Sequence, residues 1–254
     1  MKLFVFDKYE ALTIVLVIAL VVTVAPLGFM PSVETAGGSN TLLPIYSVET
    51  EEKAVSLTFD CAWGAEDIDA VIEALSNGGC KATFFVVGSW AEKYPDAVKK
   101  LYNAGHEVAN HSAAHEHFNT LGESKMRSSM DKCDEIIEKL TGVKPVLFRA
   151  PYGEYNDSVI KVCNETGRYA IQWDVDSLDW KGLTKEEMAE RILPKIKNGS
   201  IILMHTGTEN TAAALPYLIE KIKAEGYTFK KTCDMIYKDN FEINHEGRQI
   251  KKGM

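Results

Sequence analysis

Residues 55–64 read VSLTFDCAWG, an apolar run that passes into a single aspartate, Asp60, and ends on a glycine. A short run of this kind, rich in β-branched and aromatic residues and followed by a glycine, is typical of a buried strand. The strand therefore carries one carboxylate to its tip, with the thiol of Cys61 beside it. The pattern predicts a strand that ends in a functional group.

Similar apolar runs recur along the chain and alternate with segments of helical period. We predict strands at residues 54–59, 82–87, 107–110, 146–149, 169–173, 200–205 and 227–230. The clearest helix covers residues 124–142, where apolar side chains recur every three to four positions and Gly142 ends the helix. Repeated βα units predict a parallel sheet, and seven or eight of them predict a closed or nearly closed α/β barrel.

Charge and cysteine content exclude some classes of protein. The chain has 254 residues and a net charge of −8, which is unlike the clustered lysines and arginines of a nucleic-acid-binding surface. We therefore expect no nucleic-acid partner. The five cysteines are widely spaced and odd in number, so at least one is unpaired and a compact all-cysteine zinc site is excluded.

The N-terminal region differs from the rest of the chain. Residues 11–30 contain no charged side chain and are long enough to cross a bilayer as a helix. Lys2 and Lys8 precede this run, and the next lysine is Lys53, so we expect the body of the protein outside the cytoplasm. A cleaved secretory signal is the alternative. Our predicted segments are a membrane anchor or signal at residues 1–30, a flexible tether at 31–50, a catalytic domain at 51–240 and a polar tail at 241–254.

Polar residues follow the predicted strands at the point where each strand ends. These groups are Asp60 with Cys61, NHSAAH at residues 110–115, RAPYG at 149–153, WDVDSLDW at 173–180 and LMHTG at 203–207. The active sites of parallel barrels lie at the carboxyl ends of their strands. The sequence therefore predicts one site built from these five groups.

Three of these groups indicate particular chemistry. His111 and His115 are four residues apart, a spacing that lets two imidazoles reach one metal, although such a pair is also common on protein surfaces. Arg149 follows a strand and could pair with Asp60 or with another acid. His205 follows five apolar residues, so a neighbouring carboxylate could keep its sheltered imidazole protonated as a general acid.

These motifs, in this order, resemble the polysaccharide deacetylase family, the NodB-homology carbohydrate esterases. The stretches LTFDCAWG, KATFFVVGSWAEKYP and IQWDVDSLDW are most similar to its sporulation-associated PdaB-like branch. The resemblance covers roughly residues 53–237 and all five family motifs. It implies a distorted (β/α) barrel of about seven βα units and a divalent metal cofactor, commonly zinc.

The resemblance also implies a role for each matching residue. It makes Asp60 the catalytic base and Arg149 its positioning partner, and it makes His205 the catalytic histidine and Asp179 the acid that tunes it. The backbone N–H of Tyr152 would donate to the oxyanion, and Trp180 and Leu203 would form the walls of the acetyl pocket. His111 and His115 would be the metal ligands. Cys61 departs from the family pattern, because members with the full motif have a second aspartate there as third metal ligand. A thiolate can ligate zinc, so Cys61 is either the third ligand or an inert buried thiol.

The implied function is metal-dependent hydrolysis of N-acetyl groups on amino sugars of an envelope polysaccharide, either peptidoglycan or a chitin-like glycan. Acetate would be released. Two alternatives remain open from the sequence. One is a wall-facing glycan-binding protein that has lost catalysis because of Cys61, and the other is a hydrolase of an unrelated small amide or ester.

Overall fold

The computed structural model describes residues 41–253, and its strands follow most of the predicted apolar runs. The strands are β1 (Ser47–Val48), β2 (Ala54–Cys61), β3 (Thr83–Val86), β4 (Glu107–Asn110), β5 (Leu147–Phe148), β6 (Tyr169–Ala170), β7 (Val175–Asp176), β8 (Ser200–His205), β9 (Thr228–Phe229), β10 (Phe241–Ile243) and β11 (Arg248–Lys251). The predicted strand at residues 169–173 is shorter than expected.

Helices separate most of the parallel strands. They are α1 (Ile68–Asn77), α2 (Gly88–Lys93), α3 (Pro95–Asn103), α4 (Glu123–Thr141), α5 (Asp157–Glu165), α6 (Lys185–Ile192), α7 (Thr211–Ala224) and α8 (Thr232–Met235). The predicted long helix is confirmed as α4, which ends at the left-handed Gly142. Thr184 caps α6 and forms a reciprocal capping box with Glu187.

Strand β2 lies near the middle of a parallel sheet. It pairs with β3 on one side and with β8 on the other, and β4, β5 and β6 follow β3 in order. Because the strands run parallel, their carboxyl ends meet at one edge, where Asp60 and His205 are register partners. The sheet curls with helices packed on it, which makes the fold an α/β barrel-like one.

Residues 45–48 connect the two ends of this curled sheet. Ile45 forms a bridge with Ile171 just after β6, and Ser47 pairs with Ser200 at the start of β8. The β10–β11 hairpin then pairs with β1. The structure thus corrects two predicted boundaries, because part of the predicted tether and most of the predicted tail belong to the sheet. Burial explains the difference, since Ile45 and Val48 are almost fully excluded from solvent.

The two faces of β2 have different surroundings. Val55, Leu57 and Phe59 belong to the large apolar core that the sheet forms with the helices. The intervening residues, Thr58 and Asp60 among them, point to the other face, because side chains alternate along a strand. The carboxylate of Asp60 therefore enters the interior of the barrel-like sheet.

The predicted membrane anchor at residues 1–30 lies outside the described residues, as does the first part of the predicted tether. No helix within residues 41–253 has the length and apolar composition needed to cross a bilayer. All five cysteines lie in the described part of the chain and are free thiols.

Candidate active site

A buried ion pair between Asp60 and Arg149 forms the centre of the site. Arg149 Nη1 donates to Asp60 Oδ1 at 2.7 Å, and Arg149 Nη2 donates to the hydroxyl of Thr58 and the carbonyl of Gln172. The guanidinium lies 4.0 Å from the ring centroid of Phe85 and is fully buried. Burial alone would raise the pKa of Asp60, but the charge and hydrogen bond of Arg149, together with the nearby His111 and His205, outweigh burial, so the pKa lies below its usual value. Asp60 is thus held as a carboxylate.

His111 lies directly beside this pair. Its Nδ1 donates to the carbonyl of Arg149 at 2.8 Å, and its Nε2 is 3.4 Å from Asp60 Oδ2. Because a carbonyl can only accept, the neutral imidazole carries its proton on Nδ1 and leaves a lone pair on Nε2. Burial lowers the pKa of His111, which favours this neutral form.

His115 reaches the same side of the site from the loop after β4. Its ring centroid is 5.1 Å from that of His111 and 4.5 Å from that of Tyr152. Burial, with His111 nearby, lowers the pKa of His115 to about 4, so both imidazoles are neutral at pH 7. The structure therefore brings together the two histidines that the sequence predicted as a pair.

A second charged pair, His205 with Asp179, lies at the end of β8, next to the end of β2 that carries Asp60. His205 Nδ1 donates to Asp179 Oδ1 at 2.8 Å, and the His205 backbone N–H donates to Asp179 Oδ2 at 2.7 Å. Burial disfavours the imidazolium, but the hydrogen bond to Asp179 and the charges of Asp60, Asp179 and Asp176 raise the pKa of His205. The arrangement suits an imidazole that carries a proton near neutral pH.

The three remaining predicted site residues lie close in sequence to these charged pairs. Tyr152 adopts a left-handed backbone conformation with φ of 60°, and its ring is exposed. Trp180 follows Asp179 in a short 3₁₀ helix, and about half of its surface is exposed. Leu203 lies on β8 two residues before His205, so both side chains point to the same face of the sheet.

Cys61 lies elsewhere, contrary to its predicted role as a ligand. Its side chain is fully buried in the apolar core between sheet and helices, because the residue after Asp60 in a strand points to the opposite face. Burial raises the pKa of the Cys61 thiol far above its ordinary value, which disfavours the thiolate that a metal needs. The cysteine therefore matches the inert buried thiol that the sequence left open.

The remaining donors do not fit a three-ligand metal centre. His111 and His115 supply two imidazoles, and His111 has the tautomer that metal ligation through Nε2 requires. Within the described residues, however, no group of three or more histidine, cysteine, aspartate or glutamate side chains is arranged to hold a metal ion. Within residues 41–253 the structure thus brings no third ligand into a metal-binding arrangement with the two imidazoles.

Two features of the site were not predicted from the sequence. The indole of Trp63 stacks on the imidazole of His205, with 5.2 Å between ring centroids. Beneath the histidine loop, buried Asn110 bonds to Asp134, which also pairs with Arg168. Trp63 could have been found from its position three residues after Asp60. The Asp134 to Arg168 pair has no local sequence signal.

Comparison with known proteins places these residues in a family context. A model of the polysaccharide deacetylase family matches residues 47–171. The chain is 34% identical over 193 residues to the uncharacterized protein YlxY of Bacillus subtilis, covering 76% of this chain and 60% of that protein. It is also 34% identical to a peptidoglycan-N-acetylglucosamine deacetylase of Bacillus cereus, covering 69% of this chain and 65% of that protein. The chain thus spans less than two thirds of these relatives.

Solved structures of the same family superpose on the fold. A CE4 family pseudoenzyme from Bacillus anthracis matches with a TM-score of 0.73 and 34% identity, covering 77% of this chain and 69% of that one. A mutant of this pseudoenzyme, described as having restored enzymatic activity, matches with a TM-score of 0.74 and 35% identity, covering 77% and 71%. A peptidoglycan N-acetylglucosamine deacetylase matches with 0.73 and 32% identity, covering 76% and 92%.

Proposed function

The chain belongs to the polysaccharide deacetylase family, and from this premise we propose that it is a hydrolase that removes N-acetyl groups from amino sugars of peptidoglycan. One observation carries the proposal. An ionised carboxylate, Asp60, and a histidine with a raised pKa, His205, end neighbouring strands at the same edge of the sheet. Relatives named peptidoglycan deacetylases favour peptidoglycan over a chitin-like glycan.

Amide hydrolysis needs a base to activate water and an acid to protonate the leaving amine. Asp60, held in place by Arg149, takes a proton from the water that attacks the acetyl carbonyl. The backbone N–H of Tyr152 faces the oxyanion that develops on that carbonyl. His205, protonated and oriented by Asp179, then gives its proton to the departing nitrogen. Collapse of the tetrahedral intermediate gives acetic acid and a free amino sugar. The proton held by Asp60 then restores the protonated form of His205, and the acid loses its own proton to solvent and leaves as acetate.

The acetyl group needs a small apolar recess beside these groups. Leu203 and Trp180 flank His205 on the inner face of β8 and in the loop after β7, and we assign them to the walls of this recess. We assign metal binding in this chain to His111 and His115. No proton transfer of this mechanism passes through a metal, because the described residues arrange two imidazoles and no third ligand for one.

The test is acetate release by the full chain from N-acetylated peptidoglycan and from chitooligosaccharides, with added zinc or with chelator. We expect release from peptidoglycan that falls at least roughly a hundredfold in Asp60→Asn and in His205→Ala, the range typical of acid–base groups. Circular dichroism would check that both variants fold. Full acetate release by either folded variant would refute the assigned roles.

A second candidate is a glycan-binding protein without turnover. Its support is the position of Cys61, which is buried on the face of the sheet opposite Asp60, together with the similarity to a CE4 family pseudoenzyme. In that case the wild type binds peptidoglycan, releases no acetate and retains little metal. Because residue 61 points into the apolar core, the Cys61→Asp variant would gain metal content and turnover only by turning the end of β2 toward His111 and His115. The matched Cys61→Ser variant, which supplies no carboxylate, would gain neither.

We also propose that residues 1–30 attach the protein to the cell membrane with its folded part outside the cytoplasm, which would keep a hydrolase beside an immobile polymer. A role in sporulation is part of the same proposal, on the resemblance to the PdaB-like branch. Membrane fractionation of cells expressing the full chain, with protease added from outside, tests the location. Protection of residues 41–253 from that protease would contradict it.

A further inference from the structure

Trp63 contacts the predicted acid of the site but has no part in the steps above. Its indole stacks on the imidazole of His205 at an interplanar angle of 29°, with 5.2 Å between centroids. About half of Trp63 is exposed, whereas only 16% of the His205 side chain is. The indole therefore covers one face of the imidazole, and its own other face is open to solvent.

The loop that carries Trp63 is held by contacts before and after the indole. The Val87 N–H donates to the carbonyl of Cys61 at 3.1 Å, just before the loop. After Trp63, Trp90 Nε1 donates to the carbonyl of Gly64 at 3.1 Å. The N–H of Gly207, two residues after His205, donates to Asp67 Oδ2 at 2.9 Å. These contacts attach both ends of the loop to elements that do not depend on a ligand.

The two loops also pack backbone against backbone. A Cβ atom at Gly207 would lie 2.6 Å from the Gly64 nitrogen, closer than side-chain carbons approach a backbone. Gly207 has a φ of 72°, which a glycine adopts without strain. The absence of a side chain at Gly207 thus lets the Trp63 loop approach the His205 loop closely.

The groups around His205 leave one ring face for Trp63. Asp179 holds Nδ1 in the ring plane, and the charges of Asp60 and Asp176 act on the imidazole from the cleft and from β7. The hydrogen bond at Nδ1 restrains rotation about the Cβ–Cγ bond from one edge of the ring only. An indole stacked on the ring face limits this rotation further, and its π face attracts an imidazolium.

We propose that Trp63 is a positioning residue for His205, whose stacked indole fixes the rotation of the imidazole and shields one face of it from water. This inference rests on the proposed function, in which His205 protonates the leaving amine. Its effect falls on the chemical step rather than on glycan binding. This positioning role accounts for an apolar, half-exposed ring beside the two charged pairs of the site.

Two measurements on the full chain test the proposal. The first is labelling of neutral imidazoles by diethyl pyrocarbonate, quantified for each histidine by mass spectrometry, which requires no turnover. Trp63→Ala should speed the labelling of His205 roughly threefold or more, because reagent reaches both ring faces and the imidazolium loses its π partner. In Trp63→Phe the rate of His205 labelling should stay within about twofold of the wild-type rate. His117, which is exposed, serves as the internal control.

The second measurement is steady-state acetate release. In Trp63→Ala, kcat should fall roughly tenfold with KM within about twofold, and Trp63→Phe should restore most of kcat, because stacked aromatic pairs contribute on this scale. Unchanged His205 labelling in Trp63→Ala would overturn the proposal. So would a KM effect with unchanged kcat, or an equal loss in the alanine and phenylalanine variants. If the wild type releases no acetate, the proposed function fails, while the labelling still decides the position of His205.

Discussion

Asp179 is buried, and its carboxylate accepts four hydrogen bonds. One oxygen accepts from His205 Nδ1 and from the Trp180 N–H, and the other accepts from the His205 N–H and the Thr211 hydroxyl. Four donors around one carboxylate offset the cost of burying it. Two of these donors belong to His205, so the position of Asp179 and that of the imidazole are linked.

The pH dependence of turnover should follow from this pair. The pKa of His205 is raised, so its protonated form persists to higher pH and is lost only as pH rises through that raised value. Asp179→Asn removes the charge that raises it, so the alkaline limb of the kcat profile should move to lower pH, and kcat at neutral pH should fall. The pH profile of acetate release measures both effects.

Asp174→Asn is the matched control for this experiment. Asp174 lies in the same segment but accepts from Ser200 and Ile201 at the start of β8, away from His205. Its replacement should leave the alkaline limb in place. An Asp179→Asn limb that coincides with that of wild type would show that another group controls the protonation of His205.

At the scale of elements, the buried carboxylate of Asp134 joins α4 both to the end of β4 and to the residue that precedes β6. Asp134 on α4 is almost fully buried and pairs with Arg168, which precedes β6, while its other oxygen accepts from Asn110 at the end of β4. Asn110 Oδ1 in turn accepts from the Ser112 N–H in the loop between His111 and His115. The pair therefore supports the histidine loop from below.

Arg168→Met should destabilise the protein by about 3–5 kcal/mol, because it leaves the buried charge of Asp134 without its cation. Arg127→Met is the matched control, since Arg127 also pairs with an acid, Glu165, but at the surface. Such an exposed pair contributes less than about 1 kcal/mol. Urea unfolding measures both, and equal losses would show that the Asp134 pair has no special structural role.

The sequence allowed the strands and the charged residues at their ends to be predicted because both depend on local patterns. An apolar run followed by Asp60, Arg149 or His205 can be recognised within a few residues. The Asp134 to Arg168 pair could not be predicted, because its members are 34 positions apart and look like ordinary surface charges. The side on which Cys61 lies also depends on how far β2 extends, which the apolar run alone does not define.

At the scale of the whole molecule, residues 45–48 complete the curled sheet. The Val48 N–H donates to the carbonyl of Gly199 at 2.9 Å, just before β8. A Cβ at Gly199 would lie 1.8 Å from the Val48 carbonyl oxygen. The segment could not be predicted as part of the sheet, because it is short and many of the residues before and after it in the sequence are polar. Its contacts come from β6, β8 and the β10–β11 hairpin, all distant in sequence.

Gly199→Ala should therefore destabilise the protein more than Gly167→Ala. Both glycines have positive φ, so both changes carry a backbone cost of roughly 1–2 kcal/mol, but nothing lies within 4 Å of a Cβ at Gly167. The additional loss at Gly199 reports the displacement of residues 45–48. Thermal unfolding of the two variants measures it, and equal melting temperatures would mean that the segment contributes little to stability.

The burial of Arg149 has a consequence for how such chains can change over time. Removing Asp60 leaves a fully buried guanidinium without its counter-ion, a loss of about 3–5 kcal/mol that few domains tolerate. Selection for folding alone would therefore keep both residues, whether or not acetate is ever released. Cys61 carries no such constraint, because a small apolar side chain satisfies the core on the opposite face of β2. The most recognisable pair of the site would therefore persist in a lineage from which acetate release had been lost.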